Sequence, residues 1–177
     1  ETLYFKSINV PEFVIRFARG GHTDPVNMVR ALKSEMEEIG FDSVSGDIAY
    51  CLVDSDFDVS KDAKLKQAEK KTKKEGDMVQ LIVSNPCFEI WYLCHFEAST
   101  RMYSSNKDVV DALCKHLPNY QKNKKGVYEQ IKDKTQVAID NAKRLEKDCE
   151  RVGKQRHTIA FGPSTEVYHI IEKLYHL

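Results

Sequence analysis

The segment that most constrains the fold of this chain is an apolar run ending on alternating carboxylates, DIAYCLVDSDFD at positions 47–58. Its central residues, 48–53, are nearly all hydrophobic, which is typical of a strand buried on both faces of a parallel sheet. In an extended chain, side chains two positions apart point the same way. Asp54 and Asp56 are therefore expected to project together, roughly 6 to 7 Å apart along the backbone. They would lie at the carboxyl end of the strand, where open α/β sheets place their sites.

Paired carboxylates in this position favour a hard divalent cation. Two close carboxylates repel each other unless positive charge lies between them, and oxygen ligands suit Mg²⁺ or Mn²⁺. Asp54 and Asp56 are therefore the predicted metal ligands and catalytic residues, and Asp58 is a third ligand if the chain stays extended. The alternative interpretation is a solvated acidic turn that caps the next helix.

Two other kinds of acidic loop are tested by the neighbouring residues. An EF-hand calcium loop needs Gly at its sixth position and Glu at its twelfth. Val59 and Leu65 occupy those positions, so this kind of site is excluded. A phosphatase loop with an aspartyl nucleophile, D-x-D-x-[TV], is closer, but it fails at its last position, which is Asp58.

Composition limits the class of protein. A chain of 177 residues is long enough for one domain with a hydrophobic core, with room for a small appended subdomain. Lys plus Arg and Asp plus Glu number 27 each, so any binding to nucleic acid must rely on local patches. The five cysteines form no C-x-x-C motif, which favours reduced thiols in a cytoplasmic protein. Neither a signal peptide nor an apolar run of membrane length is found, so no membrane partner is expected.

The hydrophobic pattern predicts helices and strands in alternation, which implies parallel pairing with right-handed crossovers. Asp24 is expected to cap a helix with Pro25 in its first turn. The predicted elements are, in order, a helix from residue 1 to about Pro11, a strand at 13–18, a helix at 25–40, the carboxylate strand, a helix at 61–75 and a strand at 78–83.

The helix at 61–75 is rich in lysine and has a thin apolar stripe, so it should lie on the surface. Lys61 and Lys64 begin this helix beside the predicted metal ligands, where a phosphate backbone would need positive charge. We predict that they contact nucleic acid, with an ordinary solvated helix face as the alternative.

The segment 84–97, SNPCFEIWYLCHFE, directly follows the last predicted strand. Asn85 is expected to cap a buried helix with Pro86 in its first position. Glu89 is unusual because it lies among aromatic residues in the first turn, and it is predicted to be an added metal ligand or a general base. His95 is interpreted either as a hydrogen-bonded core histidine or as a catalytic one.

The last part of the chain, 98–177, is predicted to be a helical extension. Its loop at 119–126 is basic and contains one aromatic residue. Tyr120, Lys122 and Lys124 are predicted to contact nucleic acid by stacking and phosphate pairing. A solvated loop is the alternative.

Segment 84–97 resembles the hallmark segment of the RloB-like family, and three weaker features agree with it along the chain. These are an E-x-x-Y-F start at Glu1, Tyr4 and Phe5, the D-x-D at Asp54 and Asp56, and a P-x-T segment at Pro163 to Thr165. That family comprises prokaryotic proteins encoded near restriction–modification systems and associated with abortive phage resistance. The resemblance implies a divergent Toprim fold, the phosphotransfer domain of topoisomerases, primases and overcoming-lysogenization-type nucleases.

The resemblance implies an α/β fold with a Toprim-like, mostly parallel sheet flanked by helices. Residues 1–97 are expected to form its core and residues 98–177 the helical extension. Toprim sites pair a D-x-D with a glutamate after the first strand. That strand and glutamate are expected to precede residue 1, which would leave the metal site incomplete. Asn85, His95 and Thr165 are expected to support the site.

The implied function is a metal-dependent nuclease in phage defence that uses Mg²⁺ or Mn²⁺ on DNA or RNA, with a protein partner and oligomer formation both possible. Two alternatives stay open. One is a non-catalytic module with a degenerate site that binds nucleic acid or a phage component. The other is a metal-dependent phosphatase or nucleotidyl-transfer enzyme.

Overall fold

The structure is a computed structural model in which residues 1–73 and 79–176 are described. It has a small mixed sheet flanked by helices. The elements are α1 (Thr2–Lys6), α2 (Pro25–Ile39), β1 (Ala49–Asp54), α3 (Ser60–Lys73), β2 (Val79–Asn85), α4 (Glu89–Cys94), α5 (Asn106–Cys114), α6 (Val127–Ile131) with a 3-10 turn at Lys132–Lys134, α7 (Thr135–Arg151), β3 (Ser164–Thr165) and α8 (Val167–Tyr175).

The sheet combines one parallel and one antiparallel pairing. β1 and β2 run parallel, in a register that joins Asp54 to Ser84 at their carboxyl ends. The two-residue strand β3 pairs antiparallel with the end of β2, joining Ser84 to Thr165. The predicted α/β class is confirmed. The sheet of the described residues is mixed, and the mostly parallel Toprim-like sheet stays a prediction. The antiparallel strand arises because the chain returns from α7 to the sheet edge opposite β1.

Two hydrophobic cores lie on the two faces of the sheet. Alternate residues of β1, Ala49, Cys51 and Val53, pack in the smaller core with α2 and α3. The larger core holds α1 and α4 together with α5, α7 and α8, so residues from both 1–97 and 98–177 share it. This arrangement buries α4 completely. No helix among the described residues is long and apolar enough to cross a membrane.

The predicted strand at 13–18 is wrong, because these residues form no regular secondary structure. Phe13 and Ile15 are partly buried against the larger core, whereas Val14 is 84% exposed. Buried and exposed side chains therefore alternate here as they do in a strand. No strand among the described residues lies beside this segment to form the backbone hydrogen bonds of a sheet. The first helix also ends early, at Lys6.

The structure confirms the predicted start and end of α2. Helix α2 begins as expected, since the Asp24 side chain accepts a hydrogen bond from the Asn27 N–H at 3.1 Å. It ends at Gly40, whose φ of 68° is left-handed. The predicted end of the lysine-rich helix at Glu75 and the predicted strand start at 78 lie outside the described residues.

Asn85 does not cap a helix, which corrects the prediction. It is the last residue of β2, and α4 begins later, at Glu89. Its side-chain NH₂ donates to the carbonyls of Thr158 and Ile159 at 2.9 and 3.0 Å. Its side-chain oxygen accepts from the Ser55 hydroxyl at 3.0 Å. Asn85 therefore ties the end of the sheet to the loop before β3.

A partly buried histidine, His157, clamps α3 to the same loop. The His157 ring lies 3.3 Å from a Glu69 carboxylate oxygen and 3.1 Å from a Glu166 oxygen. Glu166 also accepts from the Val83 N–H at 2.9 Å. Burial alone would lower the pKa of His157, but the hydrogen bond and charge of Glu166 and the charge of Glu69 outweigh it and raise that pKa.

Candidate functional site

Four carboxylates from three parts of the chain interact electrostatically at the carboxyl end of β1. We call Glu1, Asp54, Asp56 and Glu89 the acidic cluster. Desolvation raises the pKa of Asp54 to about 8, and the negative charges of the other three add to this effect. A backbone hydrogen bond from Phe88 acts in the opposite direction. In the absence of a cation, Asp54 is therefore mainly protonated at neutral pH.

The chain turns sharply after β1 and does not stay extended, as the third-ligand prediction required. Asp56 and Phe57 have φ values of 53° and 58°, and the Asp58 N–H donates to the Ser55 carbonyl at 3.1 Å. These are features of a type I′ turn. The turn carries the Asp58 carboxylate toward α3, where it accepts from the Ser60 N–H at 2.9 Å. Asp58 thus behaves as the capping residue of the alternative interpretation, and this hydrogen bonding lowers its pKa.

Asp56 is held by partners from two helices. One carboxylate oxygen lies 2.6 Å from the Lys61 ammonium of α3, and the other accepts from the Asn106 side-chain NH₂ of α5 at 2.9 Å. Lys61 also donates to the Asp54 carbonyl at 2.8 Å, and its side chain is only 12% exposed. Lys61, predicted to contact nucleic acid, is therefore engaged within the site.

Glu89 begins α4 and is almost completely buried. The Tyr120 hydroxyl donates to its carboxylate at 2.8 Å, and the Lys122 ammonium lies 3.8 Å from the same oxygen. Tyr120 is itself buried, so its ring offers no open face to a base, which corrects the predicted stacking role. Tyr120 instead orients Glu89, and Lys122 brings a half-exposed positive charge to the cluster.

Glu1 reaches the cluster because α1 is anchored by aromatic side chains. Tyr4 and Phe5 are buried and pack edge-on against Phe88, and Tyr4 also contacts Trp91. Although Glu1 as a residue is exposed, partial desolvation of its carboxyl group raises its pKa. The adjacent N-terminal ammonium acts in the opposite direction, and the charges of Glu89 and Asp56 add to the rise. The sequence motif places Glu1 only at the start of an aromatic segment and does not predict its position in the acidic cluster. The E-x-x-Y-F spacing, with two aromatics to bury, was the available signal.

The donor chemistry of the acidic cluster fits a hard divalent cation, because all four side chains supply carboxylate oxygens. The positions of these side chains fit a bound cation less well than their chemistry does. Of the described residues, no three His, Cys, Asp or Glu side chains are placed to hold a metal ion together. Both Asp56 oxygens already have partners in Lys61 and Asn106. Cation binding at this cluster therefore requires side chains to move.

In a comparison with known families, residues 1–174 match the sequence profile of RloB-like proteins. The chain belongs to the RloB-like protein family. No curated protein and no solved structure matches it significantly. The family predicted from the motifs is thereby confirmed, and the match extends over nearly all of this RloB-like chain.

The predicted supporting residues of the RloB-like chain lie behind the acidic cluster, in the sheet and core. His95 is buried, and its ring Nδ1 donates a hydrogen bond of 2.9 Å to the Trp91 carbonyl. Burial lowers the pKa of His95 to about 4. It is thus the uncharged core histidine of the first interpretation. The buried Thr165 hydroxyl lies 2.9 Å from that of Ser84 and links β3 to β2. Thr165 and Asn85 therefore fix the end of β2 that pairs with Asp54, whereas His95 packs within α4.

The remaining predicted nucleic-acid contacts lie on the surface. The Lys64 ammonium is 3.0 Å from an Asp24 carboxylate oxygen, so part of its charge is balanced by the start of α2. Lys124 is exposed and donates to the Asn119 carbonyl at 2.6 Å within its own loop. Lys122 is the one of these three lysines whose ammonium approaches a carboxylate of the acidic cluster.

Proposed function

We propose that this chain is a metal-dependent nuclease of the Toprim-like type that cleaves nucleic-acid phosphodiesters in anti-phage defence. The observation that carries the proposal is the meeting of Glu1, Asp54, Asp56 and Glu89 at the carboxyl end of β1. A strongly perturbed carboxyl group among like charges is characteristic of functional sites. Family membership supports the role in defence.

The residues divide into two roles under this proposal. Asp54, Asp56 and Glu1 would hold Mg²⁺ or Mn²⁺, and Glu89 would add a ligand or act as a general base. A bound divalent ion supplies polarisation of the scissile phosphate and a more acidic water molecule. Tyr120 keeps the Glu89 carboxylate in place through its 2.8 Å hydrogen bond.

Nucleic acid would approach from the side of the basic loop. Lys122 and Lys124 are exposed or half-exposed, and the outer face of α3 carries further lysines. Because the formal net charge of the chain is zero, such local patches must provide the attraction for phosphates. We therefore expect binding to weaken steeply as the salt concentration rises.

The test combines calorimetry with cleavage. Mn²⁺ binding is measured on the parent chain, on Asp54→Ala/Asp56→Ala and on Asp58→Ala, beside assays with labelled DNA and RNA. Binding and cleavage should disappear in the double variant and persist in Asp58→Ala, since that carboxylate faces α3. Cleavage that survives in the double variant would refute the proposed site. Turnover of mononucleotides but not polymers would instead indicate a phosphatase.

A second candidate function is a non-catalytic module that binds nucleic acid or a phage component. The observation favouring it is that Lys61 and Asn106 already satisfy both oxygens of Asp56. In such a module Lys61 would replace the cation. The calorimetry distinguishes the two candidates, because this module binds nucleic acid without binding Mn²⁺.

A further inference from the structure

The turn after β1 holds a bulky aromatic residue in a backbone conformation that favours glycine. Phe57 has φ = 58° and follows Asp56, which has φ = 53°. Aspartate tolerates the left-handed region, but the second central position of a type I′ turn is normally Gly. A bulky side chain there is strained, and such strain is concentrated at functional sites.

Burial of the Phe57 ring does not compensate for this strain. Phe57 is 37% exposed and belongs to neither hydrophobic core of the described chain. It makes no ring–ring contact with another described aromatic residue that would account for its position. The requirements of the fold therefore do not explain a phenylalanine at this position.

The residues around Phe57 indicate what kind of ligand would reach its ring. Phe57 lies between Asp56, a member of the acidic cluster, and Asp58, which the charges of Lys61 and Lys64 reach. Tyr120, the aromatic predicted to stack on bases, is buried. Of the described aromatic side chains, Phe57 is thus the exposed ring in the turn that carries Asp56, one member of the acidic cluster.

We propose that Phe57 is a stacking platform for an unpaired base next to the phosphate handled at the acidic cluster. This inference rests on the proposed function and specifies its substrate as single-stranded nucleic acid, or a duplex with an unstacked base. Aromatic side chains bind single strands because every base has a flat π-face. In an intact duplex those faces are covered by neighbouring bases, so the ring has no surface to meet.

Fluorescence anisotropy with labelled single-stranded and duplex oligonucleotides, without divalent metal, tests the inference. Phe57→Leu should weaken single-strand binding about tenfold, in the range seen when a stacking aromatic is removed, and Phe57→Trp should retain it. Phe57→Gly should also lose affinity while its urea unfolding midpoint stays equal or rises, since glycine relieves the strain. A loss of affinity in a variant that is at least as stable as the parent cannot be caused by unfolding. Phe17→Leu is the matched control, because Phe17 is also 37% exposed but lies in another segment.

Each outcome has a distinct meaning. If Phe57→Leu binds single strands as tightly as the parent, the stacking inference is overturned, whether or not the chain cleaves with Mn²⁺. If binding depends on Phe57 but Mn²⁺ supports no cleavage, the nuclease proposal fails and the base contact is supported. If no oligonucleotide binds and Phe57→Leu abolishes self-association in sedimentation, Phe57 is a protein contact and the inference is overturned.

Discussion

The replacement Asp54→Asn should stabilise the protein in the absence of divalent metal, and increasingly so as the pH rises. The folded-state pKa of Asp54 is about 8, against an ordinary value of 3.8. Between these two values the unfolded chain has released the proton and the folded chain retains it. Stability therefore falls with rising pH across this window, by about 1.4 kcal/mol per pH unit at most. Asparagine is already uncharged and removes this loss.

The magnitude follows from that slope. From pH 5 to pH 7 the parent should lose up to about 3 kcal/mol relative to the variant. Asp54 interacts electrostatically with the other carboxylates of the acidic cluster, so the measured difference will be smaller than this limit. The Asn side-chain oxygen can still accept the hydrogen bond from the Phe88 N–H, so that donor keeps its partner.

The assay is urea unfolding of both proteins in EDTA from pH 5 to pH 8. Taking the difference between the two cancels the titration of the groups that do not interact with Asp54. Asp111→Asn is the control, since its exposed carboxylate pairs with Lys107 on the surface and should change stability by less than about 1 kcal/mol at every pH. A parent-to-variant difference that is independent of pH would refute a raised pKa at Asp54. Added Mn²⁺ should reverse the order of stability, because only the parent keeps the ligand.

Two further predictions concern groups around the site. Asn106→Leu removes the hydrogen bond to Asp56, so it should weaken Mn²⁺ binding about tenfold in calorimetry; unchanged affinity would show that Asn106 has no positioning role. His157→Asn removes the cationic clamp between two glutamates. Because the folded-state pKa of His157 is raised, its stabilising contribution is complete below about pH 6.5 and is lost as the pH rises through that raised pKa. Thermal unfolding should therefore show a parent–variant difference that shrinks from pH 6 to pH 9, and a constant difference would contradict the clamp.

The parts of the fold that the sequence predicted correctly have strong local signals. The apolar run before Asp54 became the parallel strand β1, because continuous hydrophobicity requires burial on both faces. Asp24 and Gly40 marked both ends of α2 through the backbone geometry that each residue favours. The burial of Glu89 also follows a local pattern, an acidic residue within an aromatic helix. Its role as a metal ligand or general base stays a prediction.

The parts that were missed depend on contacts between distant segments. Glu1 joins the acidic cluster only after Tyr4 and Phe5 dock against α4, and Tyr120 meets Glu89 across 31 positions of sequence. Neither contact leaves a periodic pattern. The turn at Asp56 was missed for a different reason. Positive φ values are expected at Gly or Asn, and an Asp-Phe pair gives no such indication.

The two aspartates of the D-x-D motif differ in electrostatic state, and this difference narrows the position of the cation. Asp56 has its charge balanced by Lys61 at 2.6 Å and a hydrogen bond from Asn106. Asp54 has no comparable cation among its principal interactions, and burial beside Glu1 and other negative charges raises its pKa instead. The unmet demand for positive charge is therefore concentrated at Asp54, between strand β1 and the Glu1 carboxyl group. A cation that replaces the Asp54 proton would satisfy this demand first, and Asp56 would join it as a ligand once its carboxylate exchanges Lys61 for the cation. Asp54 is therefore the aspartate whose loss should affect metal affinity most.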